Sequence, residues 1–386
     1  MEIQRSTLIK FSLDCNQRCK YCYEFRRKGN DLSAKLDIAN VKVLIQMVYR
    51  LFKDADARFQ FILHGGEPFL NSLETVEQFL STLRFYNNLT GKILFDVGIQ
   101  TNATLINDKW LDLLDEYNDL MPEKLLSISI DGPKEINDNV RLYKDGTSTY
   151  DTLKGVFDLI KKRSFNFSVV SVIGTHNYNK AQEVYNFIKE LNPKIAKFIP
   201  CYNTDKDGNF ENFGISPIDF SSFLCDLFDL WVGDCFVDNK LFALEPFVSL
   251  LMKFNKQKSA YCIYSLEKCD NFLCLYPSGD LFLCENYDIE NKPSDVFLGN
   301  VYKFSDETLK NIIEQPKNFC DYSNLYDDLM SKCKGCKVLD ICSGGCLGYR
   351  RELRSKSPKL YDEYCQGEFQ LYEHIRNALI QANVTI

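Results

Sequence analysis

The chain reads as an α/β protein: a partial, open (β/α)6 barrel followed by a small cysteine-rich domain built from a β-hairpin and helices. Three observations carry this. Six apolar, β-branched runs alternate with helix-period segments up to about residue 200. Cysteines bracket that region: three stand at 15, 19 and 22, none follows until 201, and ten crowd between 262 and 365. From about residue 258 the helical pattern gives way to short apolar runs around a PSGD turn.

The strand candidates are TLIKFSL, ARFQFIL, KILFDVGI, LLSISI, NFSVVSVI and IAKFIP. Helix-period segments fall at 33 to 53, then near 71 to 87, 107 to 117, 149 to 162 and 178 to 191. Strand and helix in alternation imply right-handed βαβ units and a parallel sheet, and six repeats favour an open barrel over a closed one of eight. Ligand sites in such folds gather at the C-terminal ends of the strands. The segment CNQRCKYC, directly after the first strand, therefore lies at the functional rim. YNTDKDGNFENFGISP reads as a polar connection. Two helical segments follow at about 216 to 236 and 240 to 256, then the hairpin FLCLYPSGDLFLC, and an amphipathic helix at about 366 to 382 closes the chain. The expected organisation is a barrel over 1–205, a helical connection over 206–257 and a cysteine-rich domain over 258–386.

Composition bounds the function. With 386 residues, 45% hydrophobic and 26% charged, the chain can bury a sizeable core. A net charge of −7, with Lys and Arg scattered, offers no basic surface to a nucleic-acid backbone. The most apolar stretch, LFALEPFVSLLMKF, is broken by Glu245 and Pro246, so no membrane span is expected. The N-terminus lacks the hydrophobic core of a signal peptide, and the expected location is the cytoplasm. Sixteen cysteines in a reducing compartment point to metal or redox chemistry rather than disulfides.

CNQRCKYC holds three thiols, one short of a structural zinc site, and the nearest histidine is His64. A 4Fe–4S cluster on three thiolates instead leaves one iron open to a ligand. A zinc site and a redox thiol group are the competing readings of the bare spacing. The segment resembles the CxxxCxxC motif of the radical S-adenosylmethionine (SAM) superfamily, with Tyr21 as the aromatic residue before its last cysteine. The resemblance implies that Cys15, Cys19 and Cys22 bind three irons while SAM chelates the fourth, and that reductive SAM cleavage yields a 5′-deoxyadenosyl radical that takes a hydrogen atom from substrate. HGGEP, after the second strand, resembles the segment that receives the SAM amino group, with Gly65, Gly66 and Glu67 as the matches. QTNATLI resembles the loop after the third strand and brings Asn102. SISIDGP supplies Ser129 and Asp131, suited to ribose hydroxyls, and Arg141 in DNVRLYKDG fits the position that meets the SAM carboxylate.

The stretch CKGCKVLDICSGGC, with Cys365 nineteen residues on, resembles the SPASM extension of radical SAM enzymes, which carries two auxiliary 4Fe–4S clusters. The resemblance assigns Cys262, Cys269, Cys284 and Cys346 to one and Cys333, Cys336, Cys342 and Cys365 to the other, three clusters in all. A zinc ribbon is the alternative. Cys201, Cys225, Cys235, Cys274 and Cys320 remain, and read as small buried hydrophobes.

The likeness covers about residues 7 to 370 and is nearest to anaerobic sulfatase-maturing enzymes and to maturases of ribosomally made peptides. It implies a peptide or protein substrate and an external electron donor such as flavodoxin or ferredoxin. The sulfatase maturases place an aspartate, the expected base, after the last hairpin cysteine, where this chain has Glu285, a carboxylate one methylene longer. Asp288 is a nearby substitute. The leading expectation is therefore cross-linking or a related modification of a ribosomal peptide, although no leader-binding domain precedes the first strand. Formylglycine formation from Cys or Ser is the alternative, and a non-catalytic iron–sulfur or zinc scaffold is a third reading.

Overall fold

A computed structural model of the protein describes residues 3–26, 31–238, 242–259, 261–266, 268–269, 271–287 and 291–383. The six expected strands form as β1 (Ile3–Ser12), β2 (Ala57–Gly65), β3 (Phe95–Thr101), β4 (Leu125–Ser129), β5 (Asn166–Ile173) and β6 (Ile195–Pro200). They lie side by side in chain order, each parallel to the next.

The helices Ile38–Phe52, Leu73–Thr90, Asp108–Glu116, Tyr150–Lys162 and Ala181–Leu191 stand where the apolar spacing puts them. In the first, Val41, Leu44, Ile45, Val48 and Phe52 are buried, three or four residues apart, and form one face. Side-chain caps fix the starts: Asp37 accepts from the Ala39 amide, Ser72 from that of Thr75 and Asn107 from that of Trp110. Each such cap contributes about 1 kcal/mol.

The sheet extends beyond the barrel at both edges. β7 (Ala243–Glu245) pairs parallel to β6, within the segment expected to be helical from 240 to 256. The residue before a proline avoids helical backbone, so Pro246 confines the helix to Phe247–Phe254. At the other edge, β8 (Phe272–Leu275) and β9 (Asp280–Phe282) make the expected hairpin, yet β8 also pairs parallel to β1, Ile9 opposite Leu275. With β10 (Phe297–Asn300) the order is β10-β9-β8-β1-β2-β3-β4-β5-β6-β7. One sheet thus crosses the boundary expected near 257, and one apolar core runs from Phe11 and Phe95 in the barrel to Phe282 in the hairpin and Ile375 in the helix Pro358–Gln381. Among the described residues, no helix is long and apolar enough to cross a membrane.

Candidate active site

The thiol segment leaves β1 and is fastened to the neighbouring strand ends by main chain. Gly66 N donates to Ser12 O and Glu67 N to Asp14 O, both at 2.9 Å. The backbones approach so closely that a Cβ on Gly65 would stand 2.2 Å from Ser12 O, and one on Gly66 2.0 Å from Asp14 O. Only glycine fits there. On the far side Arg18 N donates to Leu142 O and Lys20 N to Val140 O, at 2.8 and 3.0 Å.

Cys15 is buried, and Cys19 and Cys22 are half-buried. Withdrawal from water pushes the Cys15 and Cys19 thiols up to about 12, with Glu67 adding at Cys15 and Arg141 opposing at Cys19. Polar hydrogens are directed at these sulfurs. Asn102 Nδ2 lies 3.5 Å and Gln17 N 3.4 Å from Cys15 Sγ, and Arg141 Nη1 lies 3.9 Å from Cys19 Sγ. Among the described residues no three His, Cys, Asp or Glu side chains are close enough to hold one metal ion. A cluster asks for something different, since each thiolate bonds a separate iron and the sulfurs stand apart. Buried thiols that lose their protons to a metal, with N–H groups aimed at the sulfurs, fit such a group.

Two carboxylates expected to face the cofactor are taken up by the protein instead. Glu67 is 1% exposed. Its Oε1 accepts from Thr101 Oγ1 (2.6 Å) and Phe69 N (3.1 Å), and its Oε2 from Asn102 N (2.8 Å), so it ties the loops after β2 and β3 together. Burial raises its carboxyl to about 7 against these hydrogen bonds. Rather than receiving an ammonium, this side chain shapes the loops whose backbone faces the thiols. Asp131 is wholly buried and accepts from Tyr21 Oη (2.5 Å) and Val172 N (3.0 Å), with Arg141 Nε at 3.1 Å and His176 Nε2 at 3.4 Å. Burial raises this carboxyl, but Arg141 and His176 outweigh it and hold it at about 2. In place of a ribose hydroxyl, Asp131 orients Tyr21 and Arg141. Ser129 sits half-buried at the end of β4. The chemistry of His176, stacked on Tyr21 with ring centres 5.8 Å apart, escapes the sequence reading because a lone histidine after β5 carries no pattern.

Glu285 follows β9 and reaches the barrel because β8 runs beside β1. Its Oε2 accepts from Tyr23 Oη at 2.8 Å and lies 3.4 Å from Lys10 Nζ and 3.6 Å from His64 Nδ1. Lys10 is wholly buried, paired with Glu24, and donates to Tyr276 Oη at 3.0 Å. Burial alone would lower its ammonium, yet Glu24 and the tyrosines keep it well above the ordinary lysine value. Lys10, Glu24, His64 and Tyr276 were not singled out as a group from the sequence, although a lysine inside TLIKFSL was a visible signal. Asp288 lies outside the described residues.

The C-terminal cysteines form two neighbourhoods. Burial pushes the Cys284 thiol well up, and Cys269, Cys346 and Cys262 add to it. Cys269, pushed up to about 12 by burial, lies 3.2 Å from Tyr287 Oη. Farther along, Cys365 is raised by burial and by Cys333, and Cys342 by burial and by Cys365. The buried Arg350 places Nη1 3.5 Å from Cys333 Sγ and 2.9 Å from Gly344 O. Cys336 is exposed. Cys201, Cys225 and Cys274 are buried and Cys320 half-buried, while the Cys235 side chain lies outside the described residues.

An open parallel β/α barrel with three thiols on its first loop, extended by a cysteine-rich hairpin region, defines a class of enzyme that works through an iron–sulfur cluster at the barrel mouth. Residues 9–188 match the family model of the radical SAM superfamily. The cysteine-type anaerobic sulfatase-maturating enzyme of Clostridium perfringens (strain 13 / Type A) is 30% identical over 378 residues, 97% of each chain. The serine-type enzyme of Bacteroides thetaiotaomicron is 26% identical, over 94% of this chain and 86% of that one. Native anSMEcpe with bound AdoMet and Cp18Cys peptide superposes with a TM-score of 0.79 at 26% identity, covering 98% of this chain and 99% of that one. Streptococcus suis SuiB bound to S-adenosylmethionine, at 14% identity and a TM-score of 0.60, shares the fold over 91% of this chain and 75% of its own. The chain belongs to the radical SAM superfamily and is an enzyme related to the anaerobic sulfatase-maturating enzymes. Membership implies SAM and a 4Fe–4S cluster as cofactors.

Proposed function

We propose that this enzyme modifies a peptide or protein by oxidising a cysteine or serine side chain to an aldehyde. The observation that carries the reading is the Glu285 carboxylate, brought by the β1–β8 pairing to the barrel mouth and held by Tyr23 at 2.8 Å. Similarity to sulfatase maturases along 97% of the chain supports it.

Cys15, Cys19 and Cys22 would hold the SAM-binding cluster, with Gly65, Gly66, Asn102 and Arg141 around it. When bound, cluster and SAM supply a radical able to take a hydrogen atom from a substrate carbon. The oxidation then removes a proton from the substrate thiol or hydroxyl and one further electron, leaving a carbon–heteroatom double bond. Glu285 is the carboxylate placed to accept that proton. The eight assigned C-terminal cysteines would hold two auxiliary clusters, whose chemistry is electron transfer. A flavodoxin- or ferredoxin-like donor in a reducing cytoplasm fits the cysteine content.

A second reading, cross-linking or related modification of a short ribosomal peptide, is favoured by the glutamate itself. A carboxylate one methylene longer than aspartate meets a differently placed proton, and about 1 Å of misplacement costs roughly 100-fold in rate. The test is anaerobic: the reconstituted, reduced enzyme receives SAM and a sulfatase-type Cys/Ser peptide. The expected result is the mass of an aldehyde at that residue. Release of 5′-deoxyadenosine over an unchanged peptide would overturn the oxidation and favour the second reading.

A further inference from the structure

Lys10 occupies a position that an apolar residue would fill at less cost. Its neighbours on β1, Leu8, Ile9 and Phe11, are core residues, and its own side chain is wholly buried. An ammonium withdrawn from water destabilises a fold by several kcal/mol unless it is well paired. Here the partners come from three separate parts of the chain. Glu24 follows the thiol segment, Tyr276 belongs to the hairpin, and Glu285 ends it, with Oε2 3.4 Å from Nζ. The ammonium also lies 4.5 Å from the centre of the Tyr276 ring and 5.1 Å from that of Tyr23. His64 is the register partner of Lys10 on β2, and its buried Nδ1, which makes no hydrogen bond among the described residues, faces the same carboxylate oxygen at 3.6 Å.

We propose that Lys10 is a positioning residue: anchored by Glu24 and Tyr276 at the seam between β1 and β8, it holds the Glu285 carboxylate at the barrel mouth. This rests on the reading of Glu285 as the group that accepts the substrate proton. A glutamate has one more rotatable bond than an aspartate, and its carboxylate sweeps a wider arc unless a fixed group stops it. Lys10 from one side, Tyr23 Oη from another and His64 along the strand leave Oε2 one direction. A purely structural lysine would need Glu24 alone.

That difference sets the test. Lys10→Met, Glu24→Gln and the double variant are compared anaerobically with SAM and peptide, reading 5′-deoxyadenosine released per peptide modified. Lys10→Met is expected to raise that ratio about tenfold or more, by the same displacement argument. Lys10→Arg, which keeps the cation, should bring it back to within a few-fold of the parent. The double variant, freed of an unpaired buried carboxylate, should recover the melting temperature lost in Lys10→Met yet keep the raised ratio. A parental ratio in either Lys10→Met protein overturns the proposal.

A second readout needs neither cofactor nor peptide. In cluster-free protein, the melting-temperature changes of Lys10→Met and Glu285→Gln should be non-additive, because the two groups interact. Strictly additive changes overturn the Lys10–Glu285 coupling. If instead Glu285→Gln leaves the ratio at the parental value, the base assignment fails, whichever way the melting cycle falls.

Discussion

A Cβ added at Gly66 would stand 2.0 Å from Asp14 O and 2.4 Å from the carbonyl carbon, backbone atoms that cannot step aside. Gly155, inside the helix Tyr150–Lys162, meets nothing within 4 Å. Gly66→Ala should therefore cost at least about 2 kcal/mol, whereas Gly155→Ala should be neutral or stabilise by roughly 0.5–1 kcal/mol through helix propensity. Urea unfolding of cluster-free protein separates the two, and equal losses would show that the strand-end loops relax. The glycine pair of HGGEP was legible because a missing side chain has few uses after a strand. The inward direction of Glu67 and Asp131 was not legible, since a loop carboxylate reads alike whether it meets a ligand or its own backbone.

At the scale of elements, the hairpin and β10 are locked by Asp280. Its Oδ2 accepts from Ser278 Oγ and pairs with Lys292 Nζ, both at 2.8 Å, and its Oδ1 accepts from Asn300 Nδ2 at 3.1 Å. Burial raises this carboxyl, but Lys292, Ser278 and Asn300 hold it below the ordinary aspartate range. A depressed folded-state value means that the stabilisation is present above the unfolded value of about 3.9 and is lost as pH falls through the folded one. Asp280→Asn should cost about 1 kcal/mol at neutral pH, discounted for the exposed Lys292. The gap between parent and variant, followed by denaturant titration, should close below about pH 4. A gap that persists in acid would assign the effect to shape rather than charge. The turn PSGD announced the hairpin, but its pairing with β1 depends on main-chain hydrogen bonds between segments more than two hundred residues apart, which no local pattern records.

For the whole molecule, the cysteine neighbourhoods lead to a count. Three clusters correspond to about twelve irons per chain, and Cys19→Ala, which disables the first-loop set alone, should leave about eight. Iron analysis of anaerobically reconstituted protein checks this, with 5′-deoxyadenosine release lost in the variant. About four irons in the parent would remove the auxiliary clusters from the account, and zinc in their place would support a ribbon.

Strand and helix positions, the thiol loop, the glycine turn after β2 and the hairpin were all written into the chain. They arise from short-range causes: apolar period, capping side chains, proline and glycine geometry, and cysteine spacing. Ordering six β/α units into a barrel follows from chirality and short connections. What the folded chain alone decided was where distant segments met. The parallel seam of β1 and β8 carries Glu285 to Lys10, Tyr23 and His64, and the buried Asp131 gathers Tyr21, Arg141 and His176. Such meetings depend on long-range pairing and on the desolvation of charges, which exist only once the core has closed.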